Sequence, residues 1–189
     1  MNGGTKSAYF LSASGNEGLV EQIKTHNWEE LSPMSQKLTD FLRQYYYVGG
    51  MPEVGNNYFQ KQDLKAVRKL QKRILGDYEK DFSKHVPTDI LPKVVLVWNS
   101  MPSQLAKENK KFLYGVVKKG SRAKDYEDAI QWFINSGLTH KIMRVDKVHR
   151  SLKFYEDPGG FKLFISDLGL LGAMSDVTSR EILTGENYL

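Results

Sequence analysis

Residues 102–138 read PSQLAKENKKFLYGVVKKGSRAKDYEDAIQWFINSGL, and this stretch decides the fold. Its last third is amphipathic. Tyr126, Ala129, Ile130, Phe133 and Ile134 recur at the spacing that gathers apolar side chains on one helix face. The spacing predicts a helix over 122–136. Ser121 can cap its start, and Gly137 stands where a left-handed residue closes a helix. Segment 103–118 is ambiguous: SQLAKENKK favours helix, FLYGVV suits a strand, and Gly115 and Gly120 argue against one long helix. After Gly137 the period changes. Lys141 with Met143, and Ile142 with Arg144, alternate as in a strand. LKFYE and FKLFIS then flank Asp157-Pro158-Gly159-Gly160, which predicts a hairpin turning at that tetrapeptide. Helix, basic segment, helix and hairpin follow one another as in a winged helix-turn-helix.

Upstream, Leu19, Val20 and Ile23 predict a short helix ending near His26. Ser32-Pro33 opens another, with Met34, Leu38, Phe41, Leu42 and Tyr45 on one face. Gly49-Gly50 and Met51-Pro52 end it. A long helix fits 62–84, where Val67, Leu70, Ile74 and Tyr78 form the apolar stripe. Asp89 can cap a third helix that buries Leu91, Val94, Val95 and Trp98 and stops at Ser100-Met101-Pro102. The expected fold class is therefore mainly α with a small β-hairpin wing (α+β). The expected domains are a loose lead-in over 1–16, a helical lid-like subdomain over 17–86, a winged helix over 87–175, and a tail or the start of a further domain at 176–189.

Among the 189 residues, 40% are hydrophobic and 26% charged, the balance of a soluble globular chain. No apolar run approaches the roughly 20 residues of a membrane span, and MNGGTKSAYF lacks the apolar centre of an export signal. With no cysteine, the chain has neither disulfides nor a thiolate nucleophile or metal ligand. These features predict a cytoplasmic protein.

Catalytic motifs are missing. The sequence has no GxxxxGK[ST] phosphate loop, no GxSxG elbow and no HExxH pair, so no cofactor is expected. Asp77, Asp81 and His85 fall at four-residue steps and would line one helix face, a ligand-like spacing for a divalent metal. The same spacing suits a polar surface with Lys80 and Lys84 as partners, which is the preferred reading. Glu156, Asp157 and Lys162 are mis-spaced for a metal-dependent nuclease, since Gly160 stands where the second carboxylate belongs. Tyr45, Tyr46 and Tyr47 point in three directions on a helix and suit packing better than base stacking.

Charge is more informative. The net value is +5, and the cations are grouped. One run holds Lys107, Lys110, Lys111, Lys118, Lys119, Arg122 and Lys124. A second holds Lys65, Arg68, Lys69, Lys72 and Arg73. A third holds His140, Lys141, Arg144, Lys147, His149, Arg150 and Lys153. Such grouping suits a polyanion. The residues expected to reach nucleic acid are Lys110, Lys111, Lys118, Lys119, Arg122, Lys124, Arg144, Lys147 and Arg150. Helix 122–136 is the recognition-helix candidate, but Asp125, Glu127 and Asp128 on it would repel a phosphate backbone. Contact is therefore expected through the preceding lysines and the wing.

Five phrases carry a family resemblance: QYYYVGGMPEV at 44–54, ILGDYEKDFSKH at 74–85, VWNSMPSQLAKENKKF at 97–112, GSRAKDYEDAIQWFINSGL at 120–138 and FKLFISDLGLLGAM at 161–174. Together they resemble the region that follows the ATPase core in a large group of prokaryotic AAA+-type ATPases. The resemblance implies a helical lid, a winged helix, and an ATPase core as partner in cis or in trans. ATP is implied only for a full-length relative, because no phosphate-cradling residue is present here. The resemblance assigns no role to Gly49-Gly50-Met51-Pro52.

Overall fold

The computed structural model describes residues 9–105, 111–147 and 151–184. These residues form helices α1 (Glu17–Lys24), α2 (Trp28–Leu31), α3 (Ser35–Val48), α4 (Pro52–Lys61), α5 (Leu64–His85), α6 (Leu91–Leu105), α7 (Tyr114–Val117) and α8 (Glu127–Asn135), strands β1 (Thr139–Val145) and β2 (Glu156–Ile165), and helices α9 (Leu168–Met174) and α10 (Ser179–Thr184). The protein is mainly helical with one antiparallel hairpin. It divides into two compact units, Met1–Leu75 with Asp167–Leu189, and Gly76–Ser166. The division falls inside α5 rather than at 86/87, and residues 167–175 join the first unit rather than the winged helix.

The first unit packs Phe10, Tyr47, Val48, Val54, Tyr58 and Val67 into its core. Helix α3 must stop at Val48, because Gly49 takes φ 80°, a backbone state that side chains resist. A Cβ at Gly49 would also collide with the carboxylate of Asp167. That carboxylate is 5% exposed. It accepts the Gly50 N–H at 2.7 Å and, as the N-cap of α9, the Leu170 N–H at 3.1 Å. Gly169 brings α9 so close that a Cβ there would lie 2.5 Å from the Val48 carbonyl oxygen. The turn thus joins positions 117 residues apart in sequence.

The end of α3 is closed by a side chain. Helix ends leave carbonyls without partners, and the wholly buried amide of Gln71 donates to the Tyr47 and Val48 carbonyls at 2.8 and 3.0 Å. Its own oxygen accepts from Arg68 at 2.9 Å. Arg68 also donates to the Gly169 and Val177 carbonyls at 3.3 and 2.7 Å and lies over the Tyr47 ring at 4.4 Å. Every polar group of Gln71 is matched, which is what lets it sit in the core.

The second unit is built on aromatic rings. Phe82 of α5 meets Trp98 of α6 at 5.3 Å and Trp132 and Phe133 of α8 at 5.5 and 5.7 Å, all edge-on. Trp98 stacks on Phe133 at 5.7 Å. Edge and offset contacts of this kind add about 0.5–1.5 kcal/mol each beyond area burial.

Three local expectations change. Helix α6 runs through Pro102 to Leu105. Met101 and Gln104 are buried, and Gln104 exchanges two hydrogen bonds with the Leu113 backbone at 2.8 and 3.0 Å, so the last turn is held despite the missing N–H. The helix expected over 122–136 begins at Glu127, after a 3₁₀ turn whose Arg122 N–H is capped by Asp125 at 2.8 Å, not by Ser121. The hairpin does not turn at Asp157-Pro158-Gly159-Gly160. That tetrapeptide begins a bulge inside β2, where the register jumps from Met143↔Phe161 to Arg144↔Asp157. Proline has no N–H for the ladder, and the Asp157 carboxylate instead accepts from Gly159 N–H at 2.9 Å and pairs with Arg144 at 2.6 Å. Before β2, Leu152–Tyr155 form a 3₁₀ turn, and the Asp146 N–H donates to the Tyr155 carbonyl at 3.0 Å.

Removing the Asp167 carboxylate should unfold the first unit more readily. Asp167→Ala strands two N–H groups and is expected to cost about 2–4 kcal/mol; Gly49→Ala, which adds backbone strain, about 2–3 kcal/mol. At about 2–4 °C per kcal/mol for a chain of this length, calorimetry would read a drop of roughly 5–15 °C for Asp167→Ala. A melting temperature unchanged by either substitution would contradict this account of the turn.

Candidate nucleic-acid interface

In the second unit, elements follow in winged-helix order: α6, the extended residues 111–113, α7, α8, β1 and β2. The extended segment is fixed to the sheet by Phe112 N–H, which donates to the Phe161 carbonyl at 2.6 Å, and by the Phe112 and Phe161 rings stacked at 5.6 Å.

Lys118 and Lys119 occupy the first two places of a tight turn between α7 and α8. The Lys118 carbonyl accepts the Ser121 N–H at 3.1 Å, and Gly120 supplies the positive φ of 83° that a type II turn needs at its third residue. Lys111, Lys118, Lys119, Arg122 and Lys124 are all exposed, as is Lys147 beyond β1. No described carboxylate forms an ion pair with any of these six. Lys110 and Arg150 of the expected set, with Lys107 and His149 of the same runs, lie outside the described residues.

Arg144 differs from the rest. Its guanidinium pairs with Asp157 at 2.6 Å and approaches Asp146 at 3.6 Å, so its charge is spent on the bulge. Helix α8 carries the acidity expected of it, though it begins at Glu127 rather than at 122. Its exposed surface holds Glu127, Asp128, Gln131 and Asn135, the last two hydrogen-bonded at 2.8 Å. Arg122 and Lys124 precede the helix rather than ride on it. The exposed side of this helix therefore presents carboxylates, and the cations stand on the turn before it.

Three cations of the second basic run are engaged by the fold, while Lys65 and Lys69 stay exposed. Arg68 serves the buried Gln71 cluster, Lys72 pairs with Asp176 at 2.6 Å, and Arg73 pairs with Glu53. The Lys72 ammonium, by hydrogen bond and charge, holds the Asp176 carboxyl below its ordinary range. Asp77 and Asp81 are engaged by Lys80 at 3.2 Å and Lys84 at 3.1 Å. Among the described residues no group of three His, Asp or Glu side chains is placed to hold a metal, and the ion pairs with Lys80 and Lys84 are what this helix face displays. No described helix is long and apolar enough to cross a membrane.

The first unit holds a feature on which sequence periodicity is silent. The expected apolar face of α3 is only partly covered. Leu38, Phe41, Leu42 and Tyr45, with Trp28, Ile23 and Phe10, line an open groove of ≈540 Å³. Trp28 is 62% exposed, far more than its ring would choose in water. Of the three tyrosines, Tyr47 is buried, Tyr45 lines the groove and Tyr46 is exposed. Burial first, then the charge of Asp167 and the neighbouring Tyr46, raise the Tyr45 hydroxyl pKa above its ordinary 10.0. A raised folded value means the stabilising contribution is whole below pH ~10 and is lost as pH climbs through the folded value. In the 295 nm absorbance difference between the native protein and Tyr45→Phe, the Tyr45 transition should lie above that of free tyrosine, and Asp167→Asn should lower it. A transition at or below pH 10 would contradict this placement of Tyr45.

Divalent cations should leave the melting curve unmoved, and Asp77→Ala with Asp81→Ala should cost no more than about 1 kcal/mol, as exposed pairs do. A metal-dependent rise in melting temperature would reverse the reading of that helix face.

Comparisons with curated proteins and with solved structures return no match. A family comparison does: residues 39–181 match a domain of unknown function, DUF8612, and this span covers the closed turn of the first unit and the whole of the second. The chain belongs to the DUF8612 family.

Proposed function

We propose that the protein is a non-catalytic nucleic-acid-binding module, the regulatory accessory of an AAA+-type ATPase. One observation carries this reading. Lys118 and Lys119, displayed on a tight turn of a winged-helix element order, are joined by exposed Lys111, Arg122 and Lys124, none in a described ion pair. Free cations on a rigid turn can neutralise phosphates and release counterions, whereas paired ones must first break their ion pairs. The ATPase link rests on the sequence resemblance alone.

The apolar groove favours a second reading. A groove floored by Trp28, Leu38, Phe41 and Leu42 is suited to a protein surface, and the resemblance suggests an ATPase core as that surface. On this reading the winged helix is a docking element too.

Fluorescence anisotropy with labelled duplex and single-stranded DNA, at low and physiological salt, separates the two. The first reading expects micromolar binding that weakens steeply with salt. Lys118→Glu with Lys119→Glu should lower affinity at least tenfold and flatten the slope of log K against log salt by about two. No binding at low salt would sink the first reading and leave the second.

A further inference from the structure

The hairpin carries a second surface that the cationic turn does not explain. Phe154, in the 3₁₀ turn before β2, is 84% exposed, the most exposed large apolar side chain among the described residues. Leu152 beside it is 50% exposed. Exposed Lys153 lies between them, and exposed Lys147 stands near the other end of the same connection. On the hairpin itself, Ile142 is 55% and Phe164 39% exposed, cross-strand from Lys162 and His140. The opposite face is spent on packing: Phe161, Leu163 and Ile165 are buried, and the Lys141 ammonium lies over the Phe161 ring at 4.4 Å. Water gives an isolated phenyl ring no reason to stay open. A ring flanked by cations fits a ligand that alternates a flat π-surface with negative charge, which is the chemistry of an unpaired nucleic-acid strand. A duplex offers phosphates but keeps its base faces stacked inside.

We propose that the hairpin binds single-stranded nucleic acid, with Phe154 stacking on an unpaired base and Lys147 and Lys153 meeting the adjoining phosphates. This rests on the nucleic-acid reading above and narrows its ligand. The Lys118–Lys119 turn supplies sequence-independent attraction, and Phe154 adds the preference for unpaired bases.

The test uses the full chain, a dT15 oligonucleotide and a 15-base-pair duplex, compared in Phe154→Ala and Phe154→Trp. Stacking predicts that the unaltered protein favours dT15, and that Phe154→Ala weakens dT15 binding by about fivefold or more while changing duplex binding little. In Phe154→Trp, the emission in excess of that from Trp28, Trp98 and Trp132 should be quenched by dT15. Circular dichroism should be unchanged in both variants, since the ring touches solvent. If the protein binds DNA and Phe154→Ala binds dT15 as well as before, the stacking role is overturned while the nucleic-acid reading stands. If the protein binds neither DNA, both fall together. If the added tryptophan shifts to shorter wavelength with phosphatidylserine vesicles and ignores dT15, the ring is a membrane contact and the proposal is wrong.

Discussion

The first unit depends on one carboxylate. It is assembled from two stretches, residues 1–75 and 167–189. Asp167 is the first residue of the returning stretch, and it binds at once to the turn that ends α3. Closing so long a loop is entropically cheap per added residue but must be offset locally. The offset here comes from charge-assisted bonds to Gly50 and Leu170, from the Gln71 amide across the end of α3, and from Arg68 on the carbonyls of Gly169 and Val177. Each of these groups is buried or half-buried, so removing one leaves its partners unmatched in low dielectric. This gives Gly49-Gly50-Met51-Pro52 a structural meaning. The first glycine makes room for the carboxylate, the second donates to it, and the proline starts α4 at a position that needs no N–H.

The second unit is held differently. Its core is ring packing among Phe82, Trp98, Trp132 and Phe133. One consequence concerns α8. Its buried side is wholly committed to that packing through Ala129, Ile130 and Phe133, so its outward residues are fixed as Glu127, Asp128, Gln131 and Asn135. A rotation that hid the carboxylates would unpack the core. The acidity of the exposed helix is thus set by the fold, and any polyanion must be met elsewhere on the unit.

Much of this was legible in sequence. The stripe from Val67 to Tyr78, the apolar face of α8, the left-handed Gly137 and the strand containing Met143 all follow from periodicity and glycine chemistry. The misreadings share a cause. Asp157-Pro158-Gly159-Gly160 has the composition of a turn, yet Arg144 and β1 capture it as a bulge. Pro102 is a helix breaker, yet Gln104 anchors the turn beyond it. The face of α3 had the right period for a core, yet periodicity says that a face is apolar and not that something covers it. In each case a contact distant in sequence, or its absence among the described residues, overrode a sound local preference.

Charge shows the same limit most sharply. Three basic runs look alike in sequence. Folding separates them. Of the run from Lys65 to Arg73, Arg68, Lys72 and Arg73 are drawn onto Gln71, Asp176 and Glu53, while Lys65 and Lys69 stay exposed. Arg144 of the third run is drawn into the bulge. The run that contains Lys118 and Lys119 keeps its described cations in solvent. An ion pair already made must be broken before its cation can serve a phosphate, and the desolvation and lost Coulomb energy count against binding. Net charge therefore overstates the surface available to a polyanion; Lys65, Lys69, Lys147 and Lys153 also stay exposed, and the turn at Lys118 to Ser121 sets two exposed cations side by side.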